Sequence, residues 1–142
     1  MFINNFLNGA CNRLGNAKIF IQIDMGFGDV VTPDPVWVEF PTLLGEETPR
    51  IQAYTLETAV AEKYQAMSEL DLMNSRMKDF YDIWFLSRNI EFDGAVIQNA
   101  VEQTFERRRT DIPAKTPIVF QELFFADENK GIQWRAFKKK IE

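Results

Sequence analysis

The sequence predicts an α+β protein, with a short antiparallel or mixed β-sheet in the N-terminal third packed against a C-terminal helical bundle. Three observations carry that prediction. Runs rich in β-branched and aromatic residues, separated by Gly, Pro and Asp, occupy the chain up to Tyr54. From Thr55 onward, capping residues alternate with apolar residues at helical spacing. The 142 residues are 46% hydrophobic and 13% aromatic, enough for one core. The expected organisation is one compact unit in two parts, a β part over 1–54 and a helical part over 55–142.

The clearest strand is Lys18–Asp24, reading KIFIQID. Gly15-Asn16 before it is a two-residue turn signal that favours a hairpin with a partner strand near Phe6–Arg13. An amphipathic helix competes for that segment, because Phe2, Ile3, Phe6, Leu7 and Ala10 fall near helical spacing; the hairpin is preferred slightly. Met25–Pro35, with two Gly, two Pro and two Asp, reads as a loop. Val36–Phe40 and Arg50–Tyr54 read as two further short strands.

Thr55 and Thr58 are plausible caps for a helix running to about Leu70, and Glu57 sits in its first turn, where the dipole favours an anion. Ala59, Val60, Tyr64 and Met67 give its expected buried stripe. Asn74-Ser75 caps a second helix, Arg76–Arg88, whose apolar face would be Met77, Phe80, Tyr81, Trp84 and Phe85. Asp93-Gly94 starts a third, about Ala95–Arg108. Pro113 and Pro117 interrupt the chain. Phe120–Ala126 and Asn129–Lys140 read as closing helices, with Trp134 and Phe137 facing the core.

Composition excludes several chemistries. There is no histidine and only one cysteine, Cys11, so no intrachain disulfide, no histidine-based triad and no ordinary zinc site can form. The net charge of −5 gives no global attraction to nucleic acid or to anionic lipid. No run of about 18 apolar residues is present to span a membrane, and Phe2–Leu7 is too short and polar for a signal peptide. A cytoplasmic location is the expectation.

Four constellations could carry chemistry. The first joins Glu62-Lys63 to Lys78-Asp79 and Asp82. Lys63 precedes Tyr64 and lies at the border of the buried face, while Asp79 and Asp82 are i, i+3 neighbours sharing a face with Ser75. A lysine and two carboxylates on adjacent helices could orient phosphates or take a proton from an acceptor hydroxyl. Composition alone favours ordinary helix-surface pairs instead, Lys78 with Asp82 and Arg76 with Asp79. The second is Asp24, at a strand end before a Gly-containing loop with Asp29. It could reach a metal, or both could simply start turns. The third is Glu106-Arg107-Arg108-Arg109 at a helix C-terminus, where the arginines complement the dipole and are also candidate phosphate contacts. The fourth, Lys138-Lys139-Lys140, reads as a solvated basic tail.

The segments IQIDMGFGDVVTPDP (21–35), FPTLL (40–44), AYTLETAVAEKYQAM (53–67) and NSRMKDFYDIW (74–84) stand in the order and spacing of one family, extended by FERRRTDIP (105–113) and QWRAF (133–137). In these residues the chain resembles the C-terminal portion of the AbiEii/AbiGii toxin-type nucleotidyltransferases. The AEK and KDFYD motifs together are specific; either alone is weak.

The resemblance implies a truncated nucleotidyltransferase-like fold and transfer of a nucleotide from an NTP to an acceptor such as RNA, with Mg²⁺. It implies catalytic roles for Lys63, Asp79 and Asp82 and a metal-facing role for Asp24; Arg76, Lys78, Arg107 and Arg108 are the expected substrate contacts. The family's Gly-rich segment and Asp-x-Asp strand are expected upstream of residue 1. Mg²⁺ and NTP would then not be held by this chain alone, and transfer would need that half supplied. The alternative is a non-catalytic interaction module, a degenerate toxin remnant. Implied partners are a cognate antitoxin, an RNA acceptor and a second copy covering an exposed sheet edge, with no membrane. Strand 18–24 would leave such an edge unless residues 1–13 or another chain cover it.

Overall fold

The computed structural model describes residues 6–14, 16–25, 31–42, 45 and 47–141; of residues 6–14 and 21–25 only the backbone is described. The chain is α+β. Strands β1 (Phe6–Leu14) and β2 (Ala17–Met25) form an antiparallel ladder from Phe6 opposite Met25 to Leu14 opposite Ala17. The hairpin reading of the N-terminal segment is therefore the one realised, and one edge of β2 is covered by residues 6–14. Strands β3 (Val36–Glu39) and β4 (Arg50–Ala53) form a second antiparallel ladder, with Val36 opposite Ala53 and Glu39 opposite Arg50. The Phe40 amide donates to Pro49 O at 2.9 Å just beyond it.

The expected single sheet packed on a bundle is not what forms. The two ladders are separate two-stranded sheets, and no parallel pairing occurs among the described residues. Val36, Trp37 and Ile51 are all exposed, so the second ladder does not bury its apolar side chains on the helices. Alternation specifies a strand and its turn; it does not specify which ladders join.

Five helices follow, α1 (Leu56–Leu70), α2 (Met77–Asn89), α3 (Gly94–Arg108), α4 (Glu122–Phe125) and α5 (Glu128–Ile141), with 3₁₀ turns at Asp71–Met73 and Ile118–Phe120. Their starts follow the capping chemistry. Thr55 Oγ1 accepts from the Thr58 amide at 3.3 Å, and Asp93 Oδ1 accepts from Ala95 and Val96 amides at 2.8 and 3.2 Å. The Thr58 hydroxyl also donates to Thr32 O at 2.8 Å, tying the segment before β3 to α1. Arg76, the residue before α2, makes no side-chain cap; Asn74 Oδ1 instead accepts from the Arg76 amide.

The core gathers buried Met67 of α1, Met77 of α2, Val119 and Phe124, with Phe80, Ile83, Trp134 and Phe137 packed around it. Phe80 stacks on Phe124 at 5.1 Å, and Tyr64 meets Phe105 of α3 at 5.7 Å. Trp134 and Phe137 thus face the core as their spacing predicts.

Three expectations are corrected. The buried stripe of α1 is Thr58, Ala61, Gln65, Ala66 and Met67, rotated from Ala59–Val60–Tyr64. Trp84 and Phe85 are exposed at 55% and 46%, because the core reaches α2 only through Met77, Phe80 and Ile83. The single helix expected over Phe120–Ala126 splits into a 3₁₀ turn and the short α4. Lys138–Lys140 are solvent-exposed as expected, within the last turn of α5.

Candidate functional site

The site grows from the crossing of α1 and α2. Lys63 lies on α1 beside the buried Ala61–Gln65 line, so its stem is covered and its ammonium emerges at the edge of the core. Asp79 stands in the first turn of α2 and Asp82 one turn later, on the same face. Lys63 Nζ reaches both, at 2.7 Å to Asp79 Oδ1 and 2.9 Å to Asp82 Oδ2. Lys78 adds a second contact to Asp82 Oδ2 at 2.6 Å.

The surface pair Lys78–Asp82 and the cross-helix cluster therefore coexist. Arg76 does not pair with Asp79 as composition suggested; that carboxylate is turned to Lys63. The Lys63, Asp79 and Asp82 side chains are 23%, 14% and 21% exposed, whereas Lys78 is 72% exposed. The inner pair is thus better shielded than an ordinary surface ion pair.

Electrostatics follow the geometry. Burial pulls the Lys63 pKa down, but hydrogen bonds to Asp79 and Asp82, with their negative charge, outweigh burial and raise it above its usual 10.5. Burial pushes Asp82 up; the hydrogen bonds and charges of Lys78 and Lys63 outweigh it and hold the carboxyl below its usual 3.8. Lys63 is an ammonium and Asp82 a carboxylate at neutral pH.

A cleft of about 200 Å³ opens beside the cluster, lined by Tyr54, Glu62, Lys63, Arg76, Asp79 and Arg108. Lys63 is neutralised by its carboxylates. Arg76 and Arg108 have no ion-pair partner among the described residues, so they are the uncompensated cations of the cleft. Two guanidinium groups facing one cleft form an anion site suited to phosphate oxygens.

The turn before α2 is held from behind. Lys130 of α5, itself buried, donates to Asn74 O at 2.8 Å, while Asn74 Oδ1 holds the Arg76 amide at 2.8 Å. A second, more open groove of about 490 Å³ shares Arg76 and Asp79 with the cleft and adds Lys78, Gln133 and Lys140.

The expected site residues thus divide. Lys63, Asp79, Arg76 and Arg108 line one cleft and Asp82 supports it; Lys78 faces the second groove, and Arg107 stands in the last turn of α3 without lining either. Asp24 is placed only by its backbone, in β2 opposite Leu7, and its side chain lies outside the described residues. Sequence reasoning missed Gln65, which is fully buried and bonds Arg108. Its signal is its spacing, i+7 from Thr58 and i+4 from Ala61, the two other most deeply buried residues of that face.

Among the described residues no all-protein cage for a divalent metal is built. They contain no cluster of three or more Cys, Asp or Glu able to hold one, and the paired carboxylates Asp79 and Asp82 already share the Lys63 ammonium. No described helix is long and apolar enough to cross a membrane.

A family model described as nucleotidyl transferase AbiEii toxin, type IV toxin–antitoxin system, matches residues 4–142. Neither the curated proteins nor the solved structures give a match.

Proposed function

The chain belongs to the AbiEii nucleotidyl transferase toxin family, and we propose that it supplies the phosphate-facing and acceptor-facing side of a nucleotidyl transfer site. The observation that carries this reading is the Lys63 ammonium bound to Asp79 and Asp82 at the wall of a cleft whose uncompensated cations are Arg76 and Arg108. Nucleotidyl transferases use a nucleoside triphosphate and a divalent metal, and the type IV system pairs a toxin with an antitoxin.

In this reading Arg76 and Arg108 hold the triphosphate of an NTP. The acceptor hydroxyl oxygen, on an acceptor such as RNA, bonds to the α-phosphorus, the α–β bridging P–O bond breaks, and pyrophosphate leaves with its electron pair. The hydroxyl proton passes to Asp79, whose Oδ2 has no hydrogen-bond partner among the described residues. Lys63 orients that carboxylate and stabilises the negative charge around it. Arg107 and Lys78 act further along the acceptor, outside the cleft.

The 142 residues contain no Asp-x-Asp string, so in this reading a paired metal clamp is completed by carboxylates beyond those of this chain. Asp24 remains the candidate from this chain for that side. Transfer then needs a polypeptide carrying the family's Gly-rich and Asp-x-Asp segments. A second reading, a non-catalytic module that binds an antitoxin or a second copy, is favoured by the exposed Trp84, Phe85 and Phe125.

The test is label transfer from an α-labelled NTP to total RNA with Mg²⁺. The chain alone is expected to give no transfer, and the chain with the complementing polypeptide is expected to give transfer. Robust transfer by the chain alone would sink the division of the site. Absence of transfer in the completed mixture, with antitoxin still bound, would favour the interaction module.

A further inference from the structure

Gln65 is the one fully buried amide side chain on α1, and it contacts the residues on both sides of the left-handed residue that closes α3. Its Oε1 accepts from Arg108 Nη1 at 2.6 Å, and its Nε2 donates to Thr110 Oγ1 at 3.1 Å and to Glu69 Oε2 at 2.9 Å. Between Arg108 and Thr110 stands Arg109, with φ 54° and ψ 42°, and the Thr110 amide returns to Phe105 O at 3.0 Å. That is a helix C-terminus closed by a left-handed residue, a conformation that disfavours a non-glycine side chain. Gln65 grips the side chain before the left-handed residue and the one after it. All three contacts use up the amide's two N–H groups and one side of its oxygen.

We propose that Gln65 is a positioning residue that aims the Arg108 guanidinium into the cleft while leaving its positive charge uncompensated. The proposal rests on the reading of that cleft as a triphosphate site. A carboxylate at position 65 would hold Arg108 as well or better, but would neutralise it internally. Glu69, the carboxylate bonded to Gln65, is engaged by Nε2 rather than by the arginine. A neutral acceptor fixes direction without cancelling charge, which is what an anion-binding arginine needs. A purely structural clamp between α1 and α3 would place no such requirement on charge.

The probe is inorganic tripolyphosphate titrated calorimetrically into the full chain, without metal. Arg108→Ala tests the site itself. Gln65→Met, near in volume, removes the hold on Arg108 and is expected to weaken binding about tenfold by freeing the guanidinium. The double variant Gln65→Glu with Glu69→Gln keeps a hydrogen-bonded network but compensates Arg108. It is expected to melt within about 2 °C of the parent, since no hydrogen bond of the network is left unmade. It is also expected to bind tripolyphosphate at least tenfold more weakly. If Arg108→Ala weakens binding while both Gln65 variants bind like the parent, the role of Gln65 is overturned and the cleft reading stands. If Arg108→Ala binds like the parent, the cleft reading falls and this inference with it. A Gln65→Met chain that fails to fold leaves the double variant to decide, through its binding at unchanged stability.

Discussion

Replacing Lys63 with methionine keeps the length of the stem and removes the ammonium, so the consequence can be worked contact by contact. Asp82 keeps Lys78 at 2.6 Å. Asp79, with a side chain only 14% exposed, loses its sole ion pair among the described residues, a 2.7 Å charge-assisted hydrogen bond. Breaking a fully buried ion pair costs about 3–5 kcal/mol, and an exposed pair is worth about 0–1 kcal/mol. Asp79 borders an open cleft and can be partly rehydrated, so the estimate is about 2 kcal/mol. For a chain of this size that corresponds to a fall in Tm of about 6 °C. Thermal and urea unfolding of the parent, Lys63→Met, Asp79→Asn and the double variant give the coupling directly. The double variant is expected to regain most of the loss, with a coupling energy of about 1–2 kcal/mol. A Lys63→Met cost below about 0.5 kcal/mol with no coupling would show that the pair is solvent-screened and would refute the account of the cluster.

Four further outcomes follow from the same structure. Asp82 is held below 3.8, so its contribution is complete above that pH and fades as pH falls through the lowered folded value; the Tm difference between the parent and Asp82→Asn is therefore expected to be constant above about pH 5 and to shrink below 3.8, as read by melting across pH. Lys63 is shifted the other way, so its contribution persists up to 10.5 and is lost only at more alkaline pH. Thr55→Ala removes the cap bond to the Thr58 amide and is expected to cost about 1 kcal/mol in urea unfolding. Met67→Ala, at a position with no solvent exposure at the centre of the core, is expected to cost about 2–5 kcal/mol.

Much of the local structure was legible because it rests on local chemistry. Thr55 and Asp93 announce their helices since their side-chain oxygens have only the next few amides to satisfy. The two-residue spacing at Gly15-Asn16 sets the register of β1 on β2, with Leu14 opposite Ala17. What failed depends on neighbours distant in sequence. Periodicity places Trp84 and Phe85 on the face of Phe80, but α4 and α5 cover only the Met77–Ile83 end, so both remain exposed. Gln65 has the polarity of a surface residue and becomes buried only because Arg108 and Thr110 arrive from 43 and 45 residues away to satisfy it. The site was readable in part for the opposite reason. Asp79 and Asp82 share a face by spacing alone, and the border position of Lys63 put it where it could meet them. Whether Asp79 would turn to Arg76 or to Lys63 was not encoded in any spacing; the crossing of α1 and α2 decides it.

The most direct measurement of the central claim is the rate of label transfer from an α-labelled NTP to RNA by this chain completed with the complementing polypeptide, compared for the parent and Lys63→Ala. Lys63→Ala is expected to lower the rate at least a hundredfold, within the range a positioned charged group contributes, while the folded fraction at the assay temperature stays near that of the parent. Full transfer by Lys63→Ala would contradict the claim that the Lys63–Asp79–Asp82 cluster is the working part of the site.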